Sequence, residues 1–437
     1  MLRCRAEALG DQPAVLGQVR LPDGTWQLLD ELGRPFGRKD MTALPVIAEM
    51  KGDFWVGTDV GHLGRACLAS KPDVIVVPQK PYGRCLGLTP AAHRGEPSDL
   101  LGVQAISRAL KRVGHGAHTM TGYGERGMLA LLFPGQGSQR PGMGQAWRAT
   151  PAWGVVDEVS EATGRDVGHL LNDADAEELK ATRNSQLATF TLSLVILDGV
   201  RRAVAGMDEQ VTAMAGHSLG EYAALVASGA LNRLDGARLV KARGEATQAA
   251  ADADPGTMAA VLGLDVETVA KVCAEAVRTW VANDNAPGQV VIAGTTAGVE
   301  TASKKAKELG AKRVLPLSVG GAFHSPLMAP AQAGLDAALA VATFAAPAVP
   351  VVANVDARAH TDEASWPQLL SQQLCHPVRW RESLVAMDRM GVTIFVELGA
   401  GTELSGMVKR TLDGATRAHV ATPEDLLQLS EHLDAAR

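Results

Sequence analysis

The sequence predicts an α/β fold that is organised around a sharp turn between a buried strand and a helix. The apolar run Val211–Ala215 is typical of a short buried strand, and the Ala-rich run Glu221–Ala230 is typical of a helix. Between them lies the pattern Gly-x-Ser-x-Gly at residues 216–220. At a strand-to-helix junction this pattern forms a nucleophile elbow, whose glycines allow a turn tight enough to present Ser218. A second buried strand, Leu129–Phe133, runs into a glycine-rich loop and fits the same fold class.

Length and composition indicate an ordinary globular protein of two or three domains. The chain has 437 residues, of which 46% are hydrophobic and 21% are charged. A net charge of -6 provides no overall attraction to nucleic acid or to an anionic membrane. The five cysteines are scattered and never form Cys-x-x-Cys, which favours reduced thiols over disulfides or a zinc site. Without an apolar signal core or a long apolar segment, we expect a soluble, cytoplasmic protein.

Residues 1–125 differ in sequence pattern from the rest of the chain and are predicted to form a separate N-terminal α+β domain of unknown role. The turn residues Pro22-Asp23-Gly24 separate two short strands and predict a hairpin. His115 and His118 lie in a Gly-rich linker without a nearby carboxylate or cysteine, so we interpret them as linker residues and expect no metal site. Further elements are predicted as strands at Val15–Leu21, Thr25–Leu29, Phe54–Val60 and Asp73–Pro78, and as helices at Gly61–Ser70 and 100–110.

Residues 126–437 are predicted to form the second domain, which contains a small inserted subdomain at about 255–320. In that insertion a strand, a helix, a strand, a helix and a strand follow one another, an order that favours a ferredoxin-like unit placed over the site. The loop Pro134–Gln139 is either a bare turn or a loop whose backbone amides face a ligand. A helix around Asp235–Ala251 carries Arg243.

A serine hydroxyl needs a base within hydrogen-bond reach before it becomes an effective nucleophile. His217 adjoins Ser218 but points the other way in an elbow, so packing or hydrogen bonding is its expected role. His324 lies in a loop after a strand, where α/β domains place their chemistry, and it is a candidate base among eleven histidines. No acidic residue stands at an obvious strand end between Ser218 and His324. A backbone carbonyl is an alternative group that would orient the imidazole.

From about Met128 to Gly414 the chain resembles the malonyl-CoA:acyl carrier protein transacylases, the stand-alone acyltransferases of fatty acid and polyketide synthesis. Six motifs in the same order carry the resemblance, which covers about two-thirds of the chain. They are Phe-Pro-Gly-Gln-Gly-Ser-Gln at 133–139, Gly-His-Ser-Leu-Gly-Glu at 216–221, Lys-Ala-Arg-Gly at 241–244, Asn283–Gly294, Ala-Phe-His-Ser at 322–325 and Gln373–Trp380.

The resemblance implies an α/β-hydrolase-like large subdomain with the ferredoxin-like insertion, and it assigns roles to individual residues. Ser218 would be the acylated nucleophile and His324 the general base and then the general acid. The backbone amides of Gln136 and Leu219 would form the oxyanion hole, and the Gln373 carbonyl would orient His324. Arg243, which on sequence alone is also consistent with a solvated helix residue, would bind the free carboxylate of malonyl.

The same resemblance predicts substrates and partners. We expect malonyl transfer from malonyl-CoA to the phosphopantetheine thiol of an acyl carrier protein, with no cofactor or metal. Phe323 before His324 is similar to the Phe-His pair usual in malonyl-selective acyltransferases, whereas the small Thr247 replaces the Met of many relatives and leaves substrate breadth open. Acidic carrier proteins would dock on a basic surface. Candidate surfaces are Lys312-Arg313 and Lys409-Arg410.

Two alternatives from other functional classes remain at this point. One is an acyl hydrolase that acts on acyl-carrier proteins, although a carboxylate-binding Arg243 has little use for neutral acyl groups. The other is an interaction protein that docks on a synthase through residues 1–125, and this role is compatible with an enzymatic second domain.

Overall fold

The computed structural model describes residues 128–435 and four short strands nearer the N-terminus, and it describes side chains for residues 128–431. The chain divides into two units, Met1–Thr119 and Met120–Arg437. In the first unit, β1 (Gly17–Arg20) pairs with β2 (Trp26–Leu29) and β3 (Ile47–Lys51) pairs with β4 (Phe54–Gly57), both antiparallel.

The first of these pairs agrees with the predicted hairpin, because Arg20 faces Trp26 across the predicted turn. The strand predicted from Phe54 is present as β4, whereas its partner β3 was not predicted. The other predicted elements of this region, its linker and the histidines at 115 and 118 lie outside the described residues.

The second unit contains ten strands and thirteen α-helices within residues 128–435. The strands are β5 (Met128–Phe133), β6 (Val211–Gly216), β7 (Thr257–Leu262), β8 (Thr279–Ala286), β9 (Gln289–Gly294), β10 (Arg313–Pro316), β11 (Val351–Val352), β12 (Ala359–His360), β13 (Val392–Leu398) and β14 (Thr416–Val420). The helices before the insertion are α1 (Gly154–Thr163), α2 (Val167–Asn172), α3 (Ala176–Lys180), α4 (Thr182–Ala203), α5 (Gly220–Ala227) and α6 (Arg233–Ala253). The helices that follow are α7 (Val266–Glu275), α8 (Thr296–Glu308), α9 (Ala329–Leu339), α10 (Trp366–Gln373), α11 (Trp380–Arg389), α12 (Glu403–Thr411) and α13 (Asp425–Ala435).

A six-stranded, mainly parallel sheet with the order β12-β11-β6-β5-β13-β14 forms the centre of this unit. Helices cover both faces, which explains why its inner strands are continuous apolar runs without alternation. Phe133 pairs with Gly216 at the ends of β5 and β6. The loop after β5 and the turn after β6 therefore leave the same edge of the sheet, side by side.

The helix α4 lies deep in the larger hydrophobic core. All but five of its 22 residues are buried, and it packs against α6 and α1. The helix α6 begins at a regular N-cap, where the side-chain oxygen of Asn232 accepts a hydrogen bond from the Asp235 amide at 2.9 Å. Because α4 and α6 lie together, polar side chains on their facing surfaces meet inside the protein.

The insertion folds as a four-stranded antiparallel sheet with the order β10-β7-β9-β8. The helices α7 and α8 pack against it and enclose a separate core that includes Val261, Val269 and Ile292. The sequence predicted five elements here, and the structure adds the strand β8. This strand contains Asn283, Asp284 and Asn285, which do not alternate with apolar residues and so gave no strand signal.

The side chains of Asp284 and Asn285 are buried and bind groups of the large sheet's domain. Asp284 forms an ion pair with Arg381 at 2.7 Å, and Asn285 contacts His217. The backbone of β8 also bonds to Val378 on both sides, through the amide of Asp284 and the carbonyl of Ala282. The insertion is therefore joined to the rest of the unit through β8. Among the described residues, no helix has the length and apolar character that crossing a bilayer requires.

Candidate active site

The turn between β6 and α5 holds Ser218 in a left-handed backbone conformation with φ of 52°. Two glycines make this turn possible. A Cβ on Gly216 would lie 1.8 Å from the backbone carbon of Gly220, and a Cβ on Gly220 would lie 2.0 Å from the carbonyl oxygen of Phe133. Because real Cβ atoms never approach backbone atoms so closely, only glycine fits at either position. The predicted nucleophile elbow is therefore present in its geometry.

Ser218 and His324 are in direct contact. The Oγ atom of Ser218 lies 2.7 Å from Nε2 of His324, and Nδ1 of the same ring lies 2.8 Å from the backbone oxygen of Gln373. A carbonyl oxygen accepts only, so Nδ1 carries the proton and the Nε2 lone pair faces the serine hydroxyl. His324 also has a left-handed backbone, with φ of 57°.

Burial and the nearby guanidinium of Arg243 lower the pKa of His324 to about 3, so the imidazole is neutral at pH 7. A neutral imidazole with a free Nε2 lone pair is the form that accepts a proton from a hydroxyl. The arrangement therefore provides an activated serine without a carboxylate in contact with the histidine.

Arg243 extends from α6 to the same serine. Its Nη2 donates to Ser218 Oγ at 3.2 Å and to Oε1 of Gln373 at 3.1 Å, and its Nη1 donates to Oε1 of Gln186 at 2.7 Å. The side chain is buried, lies over the ring of Tyr222, and forms no salt bridge with a carboxylate among residues 128–431. Its Nε has no hydrogen-bond partner in that range. A buried cation that has an unpaired N–H donor and lies next to a nucleophile is suited to bind an anionic substrate group.

Thr247 lies one turn after Arg243 on α6 and acts on it through Gln186. Its hydroxyl donates to the Arg243 carbonyl at 2.7 Å and accepts from Nε2 of Gln186 at 3.3 Å. This second bond fixes the Gln186 amide so that its oxygen faces the guanidinium. The structure therefore adds Gln186 to the site, a residue that the sequence analysis missed because mid-helix glutamines carry no motif.

The amides of Gln136 and Leu219 belong to the two segments that leave the sheet side by side. The His217 amide donates to the Phe133 carbonyl at 2.9 Å, and a Cβ on Gly135 would lie 2.5 Å from the His217 carbonyl oxygen. Neither the Gln136 amide nor the Leu219 amide donates a hydrogen bond within residues 128–435. Both remain available to an oxygen of a ligand.

Three further side chains support the elbow from behind. The side chain of Asn354, two residues after β11, accepts from the Ser218 amide at 2.6 Å and donates to the Gly216 carbonyl at 2.7 Å. The carboxylate of Glu221 accepts from the backbone N–H of Asn354 at 2.7 Å and from Nε2 of Gln373 at 2.6 Å. Sequence reasoning gave a role in the site only to the backbone of Gln373 and gave none to Asn354 or Glu221. Glu221 lay within the Gly-His-Ser-Leu-Gly-Glu motif, which was the available signal.

The remaining predicted residues lie around this cluster. His217 turns away from Ser218, bonds Asn285 through Nε2 at 2.8 Å and packs edge-on against Trp380, in the packing role expected for it. Phe323 is half-buried, with its ring against the backbone of Gly321. The pairs Lys312-Arg313 and Lys409-Arg410 are exposed. Among the described residues, no group of three or more His, Cys, Asp or Glu side chains is placed to hold a metal ion.

Comparisons with known proteins agree with this geometry. A family model described as "Acyl transferase domain" matches residues 130–427. The chain is 43% identical over 304 residues to the malonyl CoA-acyl carrier protein transacylase of Bacillus subtilis, and the alignment covers 68% of this chain and 95% of that protein. It is 42% identical over 305 residues to the protein of the same name from Salmonella typhimurium, covering 68% and 97%.

Solved structures give the same result. The acyl-carrier-protein S-malonyltransferase of Burkholderia pseudomallei superposes with a TM-score of 0.66 at 42% identity, covering 69% of this chain and 99% of that chain. A malonyl-transacylase solved in complex with a type II polyketide synthase acyl-carrier protein superposes with a TM-score of 0.65 at 36% identity, covering 70% and 99%. The chain therefore belongs to the acyl transferase family and, within it, to the malonyl CoA-acyl carrier protein transacylases.

Proposed function

We propose that this protein transfers malonyl from malonyl-CoA to the phosphopantetheine thiol of an acyl carrier protein through a malonyl-Ser218 intermediate. The single observation that carries the proposal is the convergence of His324 Nε2 and Arg243 Nη2 on the Oγ atom of Ser218, at 2.7 and 3.2 Å. The first contact activates a nucleophile, and the second places a cation where a substrate with a second carboxyl group needs one.

In the first half of the reaction, Nε2 of His324 accepts the hydroxyl proton while Oγ of Ser218 attacks the thioester carbonyl carbon. The carbonyl oxygen becomes an oxyanion, which we assign to the free amides of Gln136 and Leu219. One such donor typically contributes about 3 kcal/mol to the transition state. The Gln373 carbonyl holds the protonated imidazole in place through Nδ1.

Collapse of the oxyanion breaks the carbon–sulfur bond, and His324 returns its proton to the departing coenzyme A thiolate. The second half runs the same steps in reverse with the carrier-protein thiol as the nucleophile, so malonyl leaves Ser218 and the hydroxyl is restored. Throughout, we assign the free carboxylate of malonyl to the guanidinium of Arg243. These steps involve no metal or redox cofactor.

Selectivity follows from Arg243 and its neighbours. A buried guanidinium favours a substrate that supplies a carboxylate, so malonyl-CoA is preferred over acetyl-CoA. The half-buried ring of Phe323, next to His324, favours malonyl over a methyl-branched analogue. Retention of Arg243 also argues against the alternative of an acyl hydrolase, because a neutral acyl chain leaves that cation without a partner.

The finer fold description and the cellular setting are also parts of this proposal. The β-α-β-β-α-β order of the insertion supports a ferredoxin-like subdomain, and the six-stranded sheet with its elbow supports an α/β-hydrolase-like large one. Residues 1–125 would form an additional domain, which a synthase partner would bind if the docking role also applies. The exposed basic pairs Lys312-Arg313 and Lys409-Arg410 are the candidate carrier-protein docking sites, and the compartment is the cytoplasm.

Intact-mass spectrometry tests the reaction directly. The full-length protein is incubated separately with malonyl-, methylmalonyl- and acetyl-CoA, and a phosphopantetheinylated acyl carrier protein is then added. We expect a malonyl adduct that moves to the carrier protein, and no adduct on the Ser218→Ala variant. Labelling of that variant would exclude Ser218 as the nucleophile. Free malonate without loaded carrier protein would instead favour the hydrolase.

A further inference from the structure

The side chain of Gln373 connects a buried anion to a buried cation. Its Nε2 donates to Oε2 of Glu221 at 2.6 Å and to the Ser218 carbonyl at 2.8 Å, while its Oε1 accepts from Nη2 of Arg243 at 3.1 Å. Because both nitrogen contacts are acceptors and the oxygen contact is a donor, only one orientation of the amide satisfies all three bonds. Reversing the amide would set its NH2 group against the guanidinium.

Glu221 selects this orientation together with the Ser218 carbonyl, and it is the acidic side chain of the two acceptors. Its side chain is fully buried on the first turn of α5, three residues after the nucleophile, and both of its oxygens accept hydrogen bonds. Within residues 128–431 it forms no direct ion pair with a lysine or arginine. Burial raises the pKa of Glu221, and Asp356 also raises it, whereas the hydrogen bonds from the Asn354 backbone amide and the Gln373 side chain and the charge of Arg243 lower it. Both carboxyl oxygens face N–H donors, so these contacts fit the ionised carboxylate and leave no acceptor for an acid proton.

We propose that Glu221 is a positioning residue for Arg243: its carboxylate orients the Gln373 amide, and that amide holds the guanidinium toward the substrate's free carboxylate. The proposal rests on the malonyl transfer proposed above. Gln186 holds Nη1 from the other side, so the two amides together hold the planar guanidinium. A substrate without a second carboxylate does not use the guanidinium, and its loading depends much less on this chain of contacts.

The Glu221→Gln variant tests the proposal by the ratio of malonyl to acetyl loading. The glutamine keeps the shape but replaces one oxygen by an NH2 group, so either Asn354 or Gln373 faces a donor. We expect kcat/KM for malonyl loading to fall about tenfold more than kcat/KM for acetyl loading, the loss associated with one bond to a charged group. A purely structural defect would lower both rates together and leave their ratio unchanged.

Glu397→Gln is the matched control. Glu397 is equally buried, lies outside the site and accepts hydrogen bonds from the amides of Leu404 and Ser405 at 3.1 and 2.7 Å. This variant should lower the thermal midpoint while leaving the malonyl-to-acetyl ratio at its wild-type value. A shift of the ratio in the control as large as that in Glu221→Gln would overturn the proposal.

A double-mutant cycle separates action through Gln373 from independent action. Gln373→Ala keeps the backbone carbonyl that orients His324 but removes the amide, and it should lower the ratio as Glu221→Gln does. The double variant should show no further decrease. Additive effects, or an unchanged ratio in Gln373→Ala, would overturn the proposal, and the latter result decides the matter even if Glu221→Gln does not fold. Absence of malonyl loading in the wild type would refute the proposed function instead.

Discussion

Ser218 and His324 are 106 positions apart in the sequence, and both have left-handed backbones, with φ of 52° and 57°. Each such conformation costs about 1 kcal/mol or more for a residue other than glycine. At Ser218 the side chain of Asn354 stabilises the strained backbone, because it accepts a hydrogen bond from the serine amide and donates one to the Gly216 carbonyl. The 2.7 Å contact between Oγ and Nε2 thus depends on two backbone positions that the surrounding structure must enforce.

Removal of the Arg243 cation should reduce the preference for malonyl over acetyl. In Arg243→Ala we expect malonyl loading to fall by about a hundredfold while acetyl loading changes far less, because only malonyl loses a charge-assisted bond pair. Competition of malonyl-CoA and acetyl-CoA for the enzyme, read by intact mass, measures the ratio. An unchanged ratio would contradict the assignment of Arg243 to the substrate carboxylate.

Loss of the Thr247 hydroxyl should affect the same ratio through Gln186. Thr247→Val removes the acceptor that fixes the Gln186 amide, and an unpaired buried donor costs about 1–3 kcal/mol. We expect malonyl loading to fall about fivefold relative to acetyl loading, a value at the lower end of that range. Thr247→Ser keeps the hydroxyl and serves as the control. Equal ratios in the valine and serine variants would show that the hydroxyl does not act through Gln186.

The pH profile of loading should lack an inflection near the ordinary pKa of histidine. The base acts in its neutral form, which predominates above its pKa, and burial and Arg243 lower the pKa of His324 to about 3. We therefore expect the rate of Ser218 malonylation to stay level as pH falls from about 8 to about 5.5, whereas an unperturbed histidine would lose most of its activity below about 6.5. Stopped reactions at each pH, quantified by intact mass, give the profile, and a midpoint near 6.5 would contradict the shift.

A methyl group at Gly220 should damage the elbow itself. The added Cβ would lie 2.0 Å from the Phe133 carbonyl oxygen, so Gly220→Ala must displace backbone at both β5 and the turn. We expect a loss of about 1–3 kcal/mol in the free energy of unfolding, together with loss of malonyl loading. Gly154→Ala, where no atom beyond the adjoining residues and the helix's own backbone lies within 4 Å of the added Cβ, should keep both properties. Chemical denaturation and intact mass measure the two effects.

The elements that sequence reasoning located best are those with strong local patterns. The buried runs at β5 and β6 and the glycines around Ser218 define the sheet edge and the elbow, because apolar continuity and the lack of a Cβ are visible in the sequence itself. The strand β8 was missed because Asn283, Asp284 and Asn285 are polar. The side chains of Asp284 and Asn285 bind Arg381 and His217, which are remote in the sequence, and local periodicity does not register such partners.

The residues of the site likewise fall into those that the sequence predicted and those that it did not. Ser218 and His324 were proposed from motif and loop position, and the structure places them in contact. The polar groups behind them were given no role. Glu221 lay inside a recognised motif, whereas a single asparagine or glutamine has no signature, so Asn354 and Gln186 become recognisable only when the fold brings them to within 3.3 Å of their partners.

The acceptor for His324 Nδ1 is a peptide oxygen rather than a side chain, and this has a consequence for how the protein tolerates mutation. Every amino acid has a backbone carbonyl oxygen, so a substitution at position 373 keeps the acceptor that fixes the tautomer of the imidazole. The side chain at the same position is thereby released for a separate task, contact with the guanidinium. Substitutions at residue 373 are therefore a route to altered acyl-group choice in which the acceptor that orients His324 is retained.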